Sequence, residues 1–323
     1  MKLEKNILKQ AKQIDKTIIL PEAHLDCRVM EAANHIIKSR LSKIIVFGDK
    51  SIYPKHFLNN PYVKHIDIEN YSDFNNIANE LYKLRKEKGL TLEESKKILK
   101  NEVYFACMLV HMGVGDGIVC GAHFTTAQTL KPALQIIKTA PNKHKVCGCM
   151  IMSRKKSPQI LLLADVSLNA DPNSDDLSEF AIGSAEFMQK LGIEPKVALL
   201  SYSTKGSASS PMVEKITKAY NLSKNKMPKL KVDGEMQADS ALSPEVAHKK
   251  GITSEVGGNA NVLIFPDLNA GNIGYKLCQR LGGYKAIGPI MINFNKPVND
   301  LSRGCNKEEI ILNVAITKIQ AIN

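Results

Sequence analysis

The feature that most restricts this chain is its repeated alternation of short β-branched runs with segments of helical period. Residues 17–20 (Thr-Ile-Ile-Leu) form one such run and residues 43–47 another, and the apolar side chains of residues 26–37 between them recur at helical spacing. This order predicts a βαβ unit. Thr91 and Glu94 have capping-box spacing ahead of a helix carrying Leu99, and residues 117–120 read as a buried strand leading into a helix over 126–137. The first half of the chain is therefore α/β.

The pattern breaks after Pro141. Residues 146–152 and 160–165 are two apolar runs separated by the polar stretch 153–158, which predicts an antiparallel hairpin and places a domain boundary near residue 141. Alternation then resumes. Helices are expected over 176–191, 212–222, 243–250 and 273–281, and strands over 197–201, 230–233, 262–265 and 287–293. A helix over 307–322 closes the chain, and periodicity alone does not assign it to either domain.

Composition narrows the function. A chain of 323 residues has room for about two domains with sizeable cores. Its longest apolar runs are strand-sized, far below the roughly 20 residues of a bilayer span, and the lysine-rich start has no apolar signal core, so a cytoplasmic protein with no membrane partner is expected. The seven cysteines are an odd set, which argues against a disulfide framework. Cys147 and Cys149 lack the second ligand pair of a zinc site, so no metal is expected. The net charge is +12, but the lysines are scattered without an arginine-rich tract or an aromatic RNA-binding signature, so no nucleic acid is expected. Anionic small substrates and a merely solvated surface both fit that charge.

Open α/β sheets bind ligands at the carboxyl ends of their strands, which directs attention to four loops. Ser201-Tyr-Ser-Thr-Lys-Gly-Ser-Ala208 is hydroxyl-rich and could cradle an anion, although an ordinary turn has the same composition. The glycines of Gly113-Val-Gly-Asp-Gly117 and Gly121 do not have dinucleotide-fingerprint spacing, which disfavours nicotinamide binding. His123 reads equally as a substrate contact or as a histidine satisfied by nearby backbone. In the third loop, residues 265–272, Asp267, Asn269 and Asn272 surround Gly271, and turn chemistry explains most of that.

Residues 296–309 are the richest of the four. Arg303 offers a fork for phosphate, Ser302 a donor for a developing oxyanion, and Glu309 a carboxylate that can take a proton. Asn306 and Glu309 also have capping-box spacing, which gives the glutamate a plain structural reading.

Taken in this order, these loops resemble the phosphate acetyl/butyryltransferases, and specifically the phosphate acetyltransferases. The resemblance runs from about Pro21 to the C-terminus and is carried by Arg85-Lys-x-Lys-Gly89, residues 129–139, Ser201 to Ala208, Val232-Asp-Gly-Glu-Met-Gln237, residues 265–276 and Lys296-Pro-Val-Asn-Asp-Leu-Ser-Arg-Gly304. It implies two α/β domains flanking a cleft, like the isocitrate and isopropylmalate dehydrogenases, with residues 1–141 plus 298–323 in one and 142–297 in the other. It further implies a homodimer with no tightly bound cofactor. The partners implied are coenzyme A, acetyl-CoA, acetyl phosphate and inorganic phosphate, combined in a ternary complex in which the coenzyme A thiolate attacks the acetyl carbonyl.

A thiol of pKa about 8.5 is mostly protonated at neutral pH, so the reaction needs a base. The resemblance assigns that role to Glu309, oxyanion stabilisation to Ser302, and phosphate or thiolate contact to Arg303. It makes Arg85 an anion-binding residue, and His123, Lys131, Ser203, Lys205, Ser207, Asn269 and Asn272 are further candidate substrate-binding residues of these loops. The chain departs from the family pattern at three places: Glu309 stands where aspartate is usual, Lys131 where arginine is usual, and Met291-Ile-Asn-Phe294 where a Gln-Gly pair is usual. Phosphate butyryltransferase chemistry and a non-catalytic acetyl-CoA-binding module are the competing readings, and retention of Ser302, Arg303 and an acid at 309 favours turnover.

Overall fold

Strands β1 (Thr17–Leu20), β2 (Lys43–Phe47), β3 (Val63–Ile66) and β4 (Gly117–Cys120) run parallel in one sheet, β1 lying between β2 and β4. The computed structural model describes residues 2–155, 157 and 159–322. Its two α/β units are Met1–Ala140 with Phe294–Asn323, and Pro141–Asn293.

In the first unit, Ile19, Ile45, Phe47, Ile118 and Cys120 pack on the helices Phe74–Arg85, Glu102–His111 and Thr126–Ile136. Helix Glu102–His111 is apolar almost all round, seven of its ten residues being buried, so it shows no clean helical stripe in the sequence. Phe105 anchors it edge-on to Phe47 and Tyr71. Helices Lys2–Lys12, Cys27–Lys38 and Lys307–Gln320 pack together, the last of them also touching β1 and β4. The closing helix thus belongs to the first unit.

The second unit opens with β5 (Cys147–Ser153) and β6 (Ile160–Ala164), an antiparallel pair in register from Met150↔Leu163 to Ser153↔Ile160, as the polar interruption predicts. Lys156 and Pro158 of their connection lie outside the described residues. Strands β7 (Val197–Leu200), β8 (Val232–Met236) and β9 (Val262–Ile264) continue the sheet parallel to β6, and β10 (Lys285–Ile292) pairs antiparallel with β5.

Two differences from the sequence reading bear on the candidate site. The helix expected over 273–281 is Leu268–Arg280, because Asp267 caps it by accepting the Ala270 N–H at 2.9 Å. Asn269 and Asn272 therefore sit in its first turns, and Gly271 is where that helix passes against the Asp165 carbonyl, leaving no room for a side chain. The second difference is β11 (Val298–Asp300), a strand inside what reads as a single connection, paired with β4 from Val298↔Ile118 to Asp300↔Cys120.

Candidate active site

Because β1, β4 and β11 are parallel neighbours, the loops after all three emerge at one sheet edge, beside the point where strand order reverses around β1. They carry Glu22, residues 121–124 and residues 301–305. Glu22 is 1% exposed. Its Oε1 accepts the N–H groups of Gly121, His123 and Phe124 at 2.9, 2.9 and 2.7 Å, and its Oε2 accepts those of Gly121 and Ala122 at 3.0 and 3.1 Å. A ring of amides that could cradle an anion is filled by the chain's own carboxylate. The His123 ring is thereby left exposed at the loop surface, edge-on to Phe124.

Asp300 ends β11 directly before the Leu301-Ser302-Arg303 turn. Its Oδ2 accepts the Thr126 hydroxyl at 2.7 Å, while the buried Oδ1 has no hydrogen-bond partner. Burial raises the Asp300 carboxyl to about 6, partly offset by the Thr126 and Thr129 hydroxyls. The Leu301 N–H donates to the Cys120 carbonyl at 2.6 Å, after which Ser302, Arg303 and Gly304 turn out into solvent.

Ser302 Oγ accepts the Gly304 N–H at 3.3 Å, which leaves its hydroxyl proton for another acceptor. Glu309 Oε2 accepts the Asn306 N–H at 3.2 Å, and Asn306 Oδ1 accepts the Glu309 N–H at 3.0 Å, so the capping box forms. Glu309 Oε1 accepts no hydrogen bond among the described residues. One carboxylate can thus cap the helix with one oxygen and present the other to a substrate proton. Cys305 beneath the turn is no rival nucleophile, since burial pushes its thiol up to about 11.

Arg85 ends its helix with Nη1 3.5 Å from the Gln135 carbonyl, and Lys131 is exposed four residues before Gln135. The residue whose carbonyl Arg85 approaches thus lies about one turn after Lys131 in helix Thr126–Ile136.

In the second unit Ser203 is buried, donating its hydroxyl to Glu235 Oε1 at 2.9 Å, and the same oxygen accepts the Gly206 N–H at 2.8 Å. Lys205 pairs with Asp233, and Ser207 Oγ accepts the Thr204 N–H at 3.0 Å. Here too a chain carboxylate occupies the turn, leaving Lys205, Gly206 and Ser207 exposed at its tip. Asn272 donates to the Val166 carbonyl at 3.0 Å, and Asn269 is exposed. Glu22, Arg28 and Asp300 escape a reading of the sequence. The one local mark of Glu22 is an acid closely following the apolar run 17–20, which does not name its distant partners. Among the described residues, no group of three or more His, Cys, Asp or Glu side chains could hold a metal ion.

The sequence profile of the phosphate acetyl/butaryl transferase family matches residues 2–318. The chain is 45% identical to the phosphate acetyltransferase of Clostridium acetobutylicum over 99% of each chain, and 44% identical to that of Acetivibrio thermocellus over 99% of this chain and 98% of that one. A crystal structure of a phosphotransacetylase from Streptococcus pyogenes superposes with a TM-score of 0.94 at 40% identity, covering 99% of this chain and 98% of that one. The chain belongs to the phosphate acetyl/butaryl transferase family. A phosphate acetyl/butaryl transferase is an enzyme.

Proposed function

We propose that this chain is a phosphate acetyltransferase, interconverting acetyl-CoA and phosphate with coenzyme A and acetyl phosphate. The observation that carries the reading is the 302–309 segment: an exposed hydroxyl, an exposed guanidinium and a carboxylate with one open oxygen, held on one strand-to-helix turn. In the ternary complex Glu309 takes the coenzyme A thiol proton, and the thiolate attacks the acetyl carbonyl. Ser302 donates to the oxyanion, and Arg303 holds the phosphate that leaves.

Arg85, Lys131 and His123 are the proposed anion and substrate contacts of the first unit. In the second unit the exposed Lys205, Ser207 and Asn269 contact substrate, with Ser203 and Asn272 bracing them. Acetyl is the proposed acyl group, since relatives at 44–45% identity carry that name. The test is release of free thiol from acetyl-CoA, propionyl-CoA and butyryl-CoA on adding phosphate. Phosphate-dependent release fastest with acetyl-CoA supports the reading. Binding of acetyl-CoA without release replaces it with the sensing module.

The reading extends to fold, assembly and compartment. The two units are proposed as domains of the isocitrate and isopropylmalate dehydrogenase type, in keeping with the return of the closing helix to the first. A homodimer is supported by Ile273, Leu277 and Leu281, which recur every four residues and are 57, 52 and 82% exposed. All seven cysteines are free thiols, in keeping with a reducing cytoplasm.

A further inference from the structure

We propose that Arg28 is a positioning residue for both Ser302 and Glu309, an inference that rests on the acyl-transfer reading of those two side chains. Arg28 lies in the first turn of helix Cys27–Lys38, some 275 residues earlier in sequence. Its Nη1 donates to the carbonyls of Arg303 and Cys305, both at 2.7 Å. Nη2 donates to the Ala122 carbonyl at 3.2 Å and to Asp26 Oδ2 at 2.7 Å, and Nε donates to Asp26 Oδ1 at 3.1 Å.

A guanidinium has five N–H groups, and these five hydrogen bonds use them all. No donor remains for a substrate anion. Arg28 is therefore not a phosphate-binding arginine, although it stands beside the turn that carries one.

What it does instead follows from peptide geometry. In a trans peptide the C=O and N–H point in opposite directions, and the peptides 303–304 and 305–306 are both trans. Arg28 holds the carbonyl side of each. The amide side of the first, Gly304 N–H, donates to Ser302 Oγ, and that of the second, Asn306 N–H, donates to Glu309 Oε2. One guanidinium thus fixes the two amides that orient the oxyanion donor and the base, in a turn that otherwise faces solvent. Its contact to Ala122 ties the same turn to the loop bearing His123. Asp26 fixes the guanidinium in turn, while its Oδ1 also caps the helix by accepting the Arg28 N–H at 2.9 Å.

Lysine keeps the charge at position 28 but has no rigid fork, so it cannot hold both carbonyls in the same geometry. Misplacement of reacting groups by about 1 Å costs on the order of a hundredfold in rate. The experiment measures kcat and KM for coenzyme A and acetyl phosphate in Arg28→Lys, Arg28→Gln and Asp26→Asn, and repeats Arg28→Gln in a Glu309→Gln background. Expected is a loss in kcat of about a hundredfold in Arg28→Gln, with both KM values within about twofold of wild type. Asp26→Asn keeps a cap acceptor and loses only the ionic clamp, so it folds and shows a smaller kcat loss. In the Glu309→Gln background the Arg28→Gln loss shrinks to below about tenfold, because the two residues act as a unit.

Wild-type kcat in Arg28→Gln overturns the inference, as does a raised KM at unchanged kcat or an undiminished loss in the double variant. Should Arg28→Gln fail to fold, wild-type kcat in both Arg28→Lys and Asp26→Asn overturns it equally. Absence of turnover in the wild-type protein instead removes the acyl-transfer reading itself.

Discussion

Glu309 accepts the backbone N–H of Asn306 at 3.2 Å while Asn306 accepts that of Glu309 at 3.0 Å, a reciprocal pair that both starts the last helix and aims the proposed base. Capping and catalysis are separable by substitution. Glutamine also closes a capping box, so Glu309→Gln is expected to unfold within about 0.5 kcal/mol of wild type. Asn306→Ala loses the acceptor of the box and is expected to cost about 1 kcal/mol. Chemical denaturation of the two variants measures both.

Lys131 is exposed on helix Thr126–Ile136, about one turn from the residue that Arg85 approaches. An ammonium binds phosphate as a point charge, whereas a guanidinium grips it through two parallel hydrogen bonds. Lys131→Arg is expected to lower the Michaelis constant for phosphate severalfold. Steady-state kinetics with phosphate varied checks it, and a constant that does not fall contradicts it.

Asp300 supplies a pH signature. Burial raises its carboxyl from the ordinary 3.8 to about 6, so the folded state favours the protonated form. The resulting stabilisation is complete below about pH 3.8 and lost as pH rises through about 6. Two pKa units correspond to on the order of 3 kcal/mol. Asp300→Asn, which keeps an acceptor for Thr126, is expected to raise the melting temperature at pH 7.5, and that gain narrows towards pH 4. Thermal unfolding of both proteins across this range gives the comparison.

The alternation of strands and helices was readable in the sequence because each element buries a face of its own period. Strand β11 was not. Its three residues, Val298, Asn299 and Asp300, include two buried polar side chains whose partners lie far off in sequence: Asn299 donates to Thr317 Oγ1 and Gln320 Oε1 in the closing helix, and Asp300 Oδ2 accepts the Thr126 hydroxyl. Helix Glu102–His111 was hidden by the opposite cause, an apolar surface with no polar face to set a period. The catalytic candidates themselves stood together in 302–309, within reach of motif reading. Glu22 and Arg28, which shape their surroundings, act on partners about 100 and 275 residues away, a distance over which spacing carries no information.

The stripe of Ile273, Leu277 and Leu281 gives the assembly a direct test. A charge placed in its middle penalises burial against a second copy while leaving the core of the unit intact. Leu277→Glu is expected to be monomeric by light scattering where wild type forms the proposed dimer, at unchanged melting behaviour at low concentration.

The central claim is that Glu309 takes the thiol proton, and the measurement that meets it most directly is phosphate-dependent thiol release from acetyl-CoA by wild type and Glu309→Gln side by side. A general base contributes about a hundredfold or more, so the account predicts vigorous release by wild type and a loss of at least that size in a variant that remains folded. Equal release by the two proteins would contradict it and leave Glu309 as a helix cap.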